Sequence, residues 1–286
     1  MSASARPGPL RGLVTCARAG KILLRVFAQS GSTFYRADGF RMASSLSFQT
    51  LVSIVPASLF LLWSLRTIHP DMGMGKLLDL LRPFFFPEMI DEVMETIGGI
   101  LEKINFAAIG WIGATLAFFA TFSLSLNVKG CLDRLFNIRQ EQLPLLRRLA
   151  IATVVVILMP LYVWFTYSET RLMIHIPSGL YLFRPYFVTI LTLYLVYRYM
   201  PERPPRAWGA LLGSLLAGIF LEAERFGLAM YFSFMHNVYL IIYGALFILP
   251  LFLLWLYLSW VIFLSGATFS SAIEKLIYER KETAAT

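Results

Sequence analysis

From residue 42 onward the chain alternates long uncharged stretches with short charged ones. Residues 42–65, 104–128 and 149–168 contain no Asp, Glu, Lys or Arg, and neither does the run 226–273. About 20 apolar residues, rising about 1.5 Å each in a helix, cross a bilayer core of about 30 Å. Each of the first three runs therefore predicts one membrane-spanning helix. The run 226–273 is too long for one and predicts a hairpin, with its turn at "MHNVY", 235–239. Two further spans must hold charge: 179–200 includes Arg184, and 207–231 includes Glu222, Glu224 and Arg225. The pattern thus predicts six spanning helices, at about 43–65, 106–128, 149–168, 179–199, 207–232 and 240–266. In the fourth, Arg184 has to snorkel to the headgroups; a re-entrant segment is the alternative.

The flanks read differently. Residues 1–9 are small and polar, and disorder is expected there. Residues 10–36 mix basic and apolar positions at helical spacing. Two arrangements are open for them: a helix in the membrane interface, near anionic headgroups, or a helix packed under the bundle. In the long loop 66–105, Ile90, Val93, Ile97, Leu101 and Ile104 form one apolar stripe, which predicts an amphipathic helix acting as a cap or a gate. The expected organisation is an N-terminal segment 1–42, a six-helix transmembrane domain 43–268 and a C-terminal tail 269–286. The fold class is all-α, polytopic.

Composition agrees. Hydrophobic residues make up 58% of the 286 and charged residues only 15%, against about 25% charged in soluble domains. So few charges cannot coat a globular surface. Mean hydropathy is +0.68 and the sequence pI about 9.6. The Lys and Arg residues cluster in 1–42, 129–149, 198–206 and 269–286, while 231–239 has none. By the positive-inside rule both termini are expected in the cytoplasm. That asymmetry accounts for the net charge of +8, so no nucleic-acid partner is expected. The two cysteines, Cys16 and Cys131, fall on the same expected side, and no disulfide framework is implied. No removable signal peptide is expected.

Pro56, Pro160 and Pro250 fall inside predicted helices one, three and six, where each is expected to produce a kink. Gly209 and Gly213 give a small-xxx-small spacing in the fifth, which lets a second helix approach closely. The charges of that helix are the leading candidates for chemistry. Glu222 and Arg225, three apart, can pair on one face; Glu224 points nearly opposite. An unpaired carboxylate facing lipid costs about 2.5 kcal/mol or more near the bilayer centre. Both faces are therefore expected to look into protein or a wet interior. Ser47, Gln49 and Thr50 in the first helix, with Ser123 and Asn127 in the second, are candidates to line that interior.

Nothing in the residues points to an enzyme. His69, His175 and His236 are widely spaced, and no pair has metal-ligand spacing. There is no nucleophile elbow or phosphate-binding glycine loop. No cofactor or metal is expected.

Three stretches resemble the YihY/BrkB family. They are "ASSLSFQTLVSIVPASLFLL" (43–62), with Pro56 in its core, "SLNVKGCLDRLFNIR" (125–139), and the block 221–267. That block carries "LEAERFGLAMY" ending at Tyr231, "IYGALFILP" with Tyr243 and Gly244, and "WLYLSWVIFLSGA" with Gly266. One position departs: Thr268 stands where the family commonly has Glu. The resemblance implies an inner-membrane protein with an envelope role. The family's older ribonuclease BN-like label fits these residues badly, because RNA hydrolysis needs a metal or acid–base constellation. Two readings remain open, an exporter or flippase for a lipid or other amphiphile and a non-transporting structural or regulatory protein, with membrane lipids as the expected surroundings in both.

Overall fold

The structure, a computed structural model, describes residues 24–68, 106–138, 184–243 and 248–285. The span expected at 149–168 with Pro160, the amphipathic helix of 66–105, and Gly244 lie outside them. The described residues form six helices and no strand. They are α1 (24–36), α2 (Gly39–Ile68), α3 (Phe106–Leu135), α4 (Arg184–Tyr199), α5 (Ala207–Tyr243) and α6 (Ile248–Ala285). A chain in hydrocarbon has to satisfy its backbone internally, and a helix does so within one segment.

Among the described residues, three stretches are long and apolar enough to cross a membrane: Thr115–Leu135, Ala207–Tyr231 and Pro250–Tyr278. Only 28–33% of their apolar windows is buried, so most of their greasy surface points outward. Six spans are compatible with this. The described part of α4 has 16 residues, about 24 Å at about 1.5 Å each, short of the hydrocarbon thickness.

One expectation is corrected. The turn placed at 235–239 is helix: α5 runs unbroken to Tyr243. Met-His-Asn-Val-Tyr contains neither glycine nor proline, and helix propensity differs little among such residues. Residues 244–247, between α5 and α6, lie outside the described residues. Pro250 is the third described residue of α6; residue 246, one turn before it, lies outside the described residues. Pro56 does lie inside α2.

Neighbouring helices follow the order α3–α2–α6–α5–α4, with α6 also reaching α3. The main core gathers Leu46, Leu132, Leu135, Tyr197 and Leu264 with Ala43, Ala210, Ala217 and Ala267. The Tyr197 hydroxyl donates to the Phe263 carbonyl at 2.6 Å, joining α4 to α6. Along the α5–α6 contact the small residues replace one another's side chains. A Cβ on Gly213 would meet the Gly266 carbonyl at 2.6 Å and Ser270 Cβ at 2.9 Å. This is the close approach that small-xxx-small spacing permits.

Two helix ends are closed by residues in the left-handed region. Asn137 (φ 56°) ends α3; its N–H bonds Arg134 O at 3.0 Å and that of Ile138 bonds Asp133 O at 2.8 Å, a Schellman pair. Asp38 (φ 57°) makes the α1–α2 turn. There the Phe34 ring lies over Gly39 so closely that a Cβ would sit 2.5 Å from it.

Of the two arrangements open for 10–36, the described half packs on the bundle. Val26 joins Phe269 and Ala272 of α6, Phe34 enters the main core, and Ser30 Oγ and Thr268 Oγ1 are 2.9 Å apart. Ser30→Ala and Thr268→Val are each expected to lower stability by about 0.5–1.5 kcal/mol. The double variant should lose less than the sum, read as a thermal-unfolding cycle in detergent. Strict additivity would mean that the two hydroxyls do not interact.

Candidate functional site

The three ionisable residues of α5 separate into two environments. Arg225 Nη1 lies 3.6 Å from Glu222 Oε2, and Arg225 is 58% exposed. Counted from Ala207, Arg225 is about 27 Å along the helix at about 1.5 Å per residue. That is close to the far edge of a core of about 30 Å, where its long side chain reaches the headgroups. Glu224 turns the other way, toward α6. Ser259 Oγ is 3.1 Å from both of its carboxylate oxygens and donates to the carboxylate.

The uncharged polar residues of α2 and α3 converge. Gln49 Nε2 donates to Ser123 Oγ at 2.8 Å, and Asn127 Nδ2 donates to Gln49 Oε1 at 2.6 Å. Next to Gln49, Thr50 Oγ1 accepts from Trp260 Nε1 at 3.1 Å. Trp260 in turn follows Ser259, the partner of Glu224. Two adjacent pairs, Gln49–Thr50 and Ser259–Trp260, therefore stitch the α3–α2, α2–α6 and α6–α5 contacts into one polar band. The band slants. Asn127 lies about 12 Å from the Leu135 end of α3, while Glu224 lies about 26 Å from the start of α5.

Not every expected residue belongs to it. Ser47 donates to Ser44 O at 2.9 Å within its own helix. Pro56 sits further along α2, Tyr231 is exposed on α5, and Tyr243 is the last residue of that helix. Gly266 is a packing residue, set between Tyr197, Ala217 and Gly213. At the departure noted above, Thr268 is fully buried and donates to Ser265 O, so that position ties α6 to α1 through Ser30.

Sequence reasoning missed a second polar centre, at the end of the bundle where α3 and α4 finish and α5 begins. Lys129 pairs with Asp133 one turn on, both buried. The other Asp133 oxygen, Oδ1, accepts the Glu202 N–H at 2.9 Å. Arg198 donates to Pro205 O at 2.8 Å, and the Arg206 N–H donates to Glu274 Oε2 at 3.0 Å. The signal was present as opposite charges four residues apart, but the spacing does not say that the pair is buried. Ser259 and Trp260 stood within the family-like stretch 255–267, but nothing in the sequence assigned them polar partners. Among the described residues no group of three His, Cys, Asp or Glu side chains is placed to hold a metal ion.

Helices with outward apolar faces, joined by a polar band, define an all-helical integral membrane protein. The family described as "Virulence factor BrkB" matches residues 31–286, and the chain belongs to it. The chain is 26% identical over 264 residues to a UPF0761 membrane protein of Chlorobium phaeobacteroides, covering 88% of this chain and 58% of that protein. It is 28% identical over 268 residues to one of Prosthecochloris aestuarii, with 88% and 61% covered. A third, of Rhodospirillum centenum, is 26% identical over 250 residues, with 84% and 55% covered. The chain thus spans less than two thirds of the length of these relatives. Their names state a membrane location and no activity. No solved structure matches the chain.

Proposed function

We propose that this protein moves a lipid or another amphiphile across the bacterial inner membrane, with both termini on the cytoplasmic side and a role in the cell envelope. The slanting band from Asn127 through Gln49, Thr50 and Trp260 to Glu224 carries this reading. Such a band gives a polar headgroup a sequence of hydrogen-bonding partners across the apolar interior, while the tails stay in lipid. Ser123 and Asn127 are exposed, so its first part is reachable from the outside of the described bundle. Glu224, apart from the Glu222–Arg225 pair, is the group whose protonation couples a gradient to movement.

The test is reconstitution into proteoliposomes with a headgroup-labelled phospholipid and a quencher outside. The wild-type chain is expected to move lipid at a pH-dependent rate. Glu224→Gln should lower that rate about tenfold, equivalent to about 1.4 kcal/mol of barrier, and flatten the pH profile. A wild-type rate and pH response in the Glu222→Gln/Glu224→Gln double variant would remove the coupling role. Vesicles that move no more lipid than empty ones would remove transport itself. A non-transporting structural role is the second reading, favoured by the hydroxyls of Ser53 and Ser125, which donate to their own helices. Under it, Glu224→Gln lowers the melting temperature and no flux exists to change.

A further inference from the structure

A cavity of about 350 Å³ opens between the end of α3, the 200–206 turn and α6. Its polar lining is Asn137, Glu202, Arg203, Ser271, Glu274 and Lys275. The walls are held from behind. Asp133 fixes the Glu202 backbone, Arg198 fixes Pro205, Arg206 ties the turn to Glu274, and Asn137 closes α3 in its left-handed conformation.

One acceptor is left over. Glu202 Oε2 is buried and has no hydrogen-bond partner among the described residues. A buried polar group without a partner is costly, and most are satisfied by something. The positive charges in the same cavity do not fill the role: among the described residues neither Arg203 nor Lys275 forms an ion pair with Glu202 or Glu274. The cavity is therefore lined by Glu202, whose carboxylate is incompletely satisfied, and by two cations paired with neither Glu202 nor Glu274. Its volume falls within the range of small-molecule sites, about 300–1,000 Å³. It lies where α5 begins and where α6 passes from apolar residues to Glu274 and Lys275, the level at which a spanning helix meets the headgroups.

We infer that this cavity binds a phosphoethanolamine headgroup. The primary ammonium pairs with the Glu202 carboxylate, and the phosphodiester with Arg203 and Lys275. A choline headgroup fits poorly, because its methylated nitrogen has no N–H to donate. A glycerol headgroup brings no cation at all. The inference concerns binding alone, and its assay reads out whether or not the protein transports lipid.

The experiment is native mass spectrometry of the full chain, gently purified in detergent and offered equal amounts of phosphatidylethanolamine, phosphatidylcholine and phosphatidylglycerol. Retention of phosphatidylethanolamine is expected to exceed that of the others about tenfold, the worth of one hydrogen bond to a charged group. Glu202→Gln should abolish the preference over phosphatidylcholine, and Lys275→Gln should weaken retention of all three lipids. Equal retention by the wild-type chain overturns the proposal, as does an unchanged preference in Glu202→Gln that elutes as a folded species. If Glu202→Gln does not fold, Lys275→Gln decides: unchanged phosphatidylethanolamine retention there overturns the phosphate assignment. Free O-phosphoethanolamine distinguishes the sources. Displacement of the lipid by it supports the shared headgroup chemistry, whereas binding of the free compound without any lipid preference overturns the lipid source.

Discussion

Gly266→Ala is expected to lower the stability of the solubilised protein by about 1–3 kcal/mol, the usual range for overpacking a filled interior, and Gly266→Val by more. The added methyl would meet three groups at once: Ala217 Cβ at 2.6 Å, the Tyr197 hydroxyl at 2.6 Å and the Gly213 carbonyl at 2.9 Å. Two of these cannot yield cheaply. The Gly213 carbonyl is helix backbone, so relief requires α5 and α6 to separate along their small-residue contact. The Tyr197 hydroxyl is bonded to Phe263 O on a side chain that is fully buried. Gly227→Ala is the internal control, because a Cβ there meets nothing within 4 Å. It should be neutral, or stabilise by about 0.5–1 kcal/mol through helix propensity. Thermal unfolding in detergent reads both. Equal behaviour of the two variants would show that the helices do not touch at Gly266.

Asp133→Ala should cost about 3–5 kcal/mol, because it strands the buried Lys129 ammonium without a counter-charge. It also removes the acceptor of the Glu202 N–H, loosening the turn that leads into α5. Lys129→Met/Asp133→Leu should recover much of the loss, since a well-packed apolar pair of similar volume is often as stable as a buried ion pair. A single Asp133→Ala variant within about 1 kcal/mol of wild type would mean that water reaches the pair. Urea-free thermal unfolding of the single and double variants makes the comparison.

Much of this arrangement was legible along the chain. Residues 42–65 lie within α2 and the described part of 104–128, from Phe106 on, within α3, because a backbone without water has no alternative to helix and charge marks where water resumes. The Gly209–Gly213 spacing foretold a close helix contact, though not that Gly266 and Ser270 would supply its other side. The facing of Glu222 toward Arg225, and of Glu224 away from both, follows from the 3.6-residue turn alone. The end of α5 was not legible in the same way. Hydrophobicity is uniform through 226–273, so nothing in it locates a turn, and a polar His-Asn pair is tolerated inside a helix.

The sequence by itself determined that this is a helical protein of the membrane and which faces of its helices carry polar groups. These are local properties: hydrocarbon forbids unsatisfied backbone, and helical periodicity assigns each residue a side. Only the tertiary structure decided that Gln49 meets Ser123 and Asn127, that Glu224 meets Ser259, and that Asp133 reaches from Lys129 to the Glu202 backbone. Those contacts join residues 35 to 78 positions apart, apart from the Lys129 pair. Their partners are selected by how the helices cross, which depends on the small residues at Gly213 and Gly266 and on the volumes packed around them.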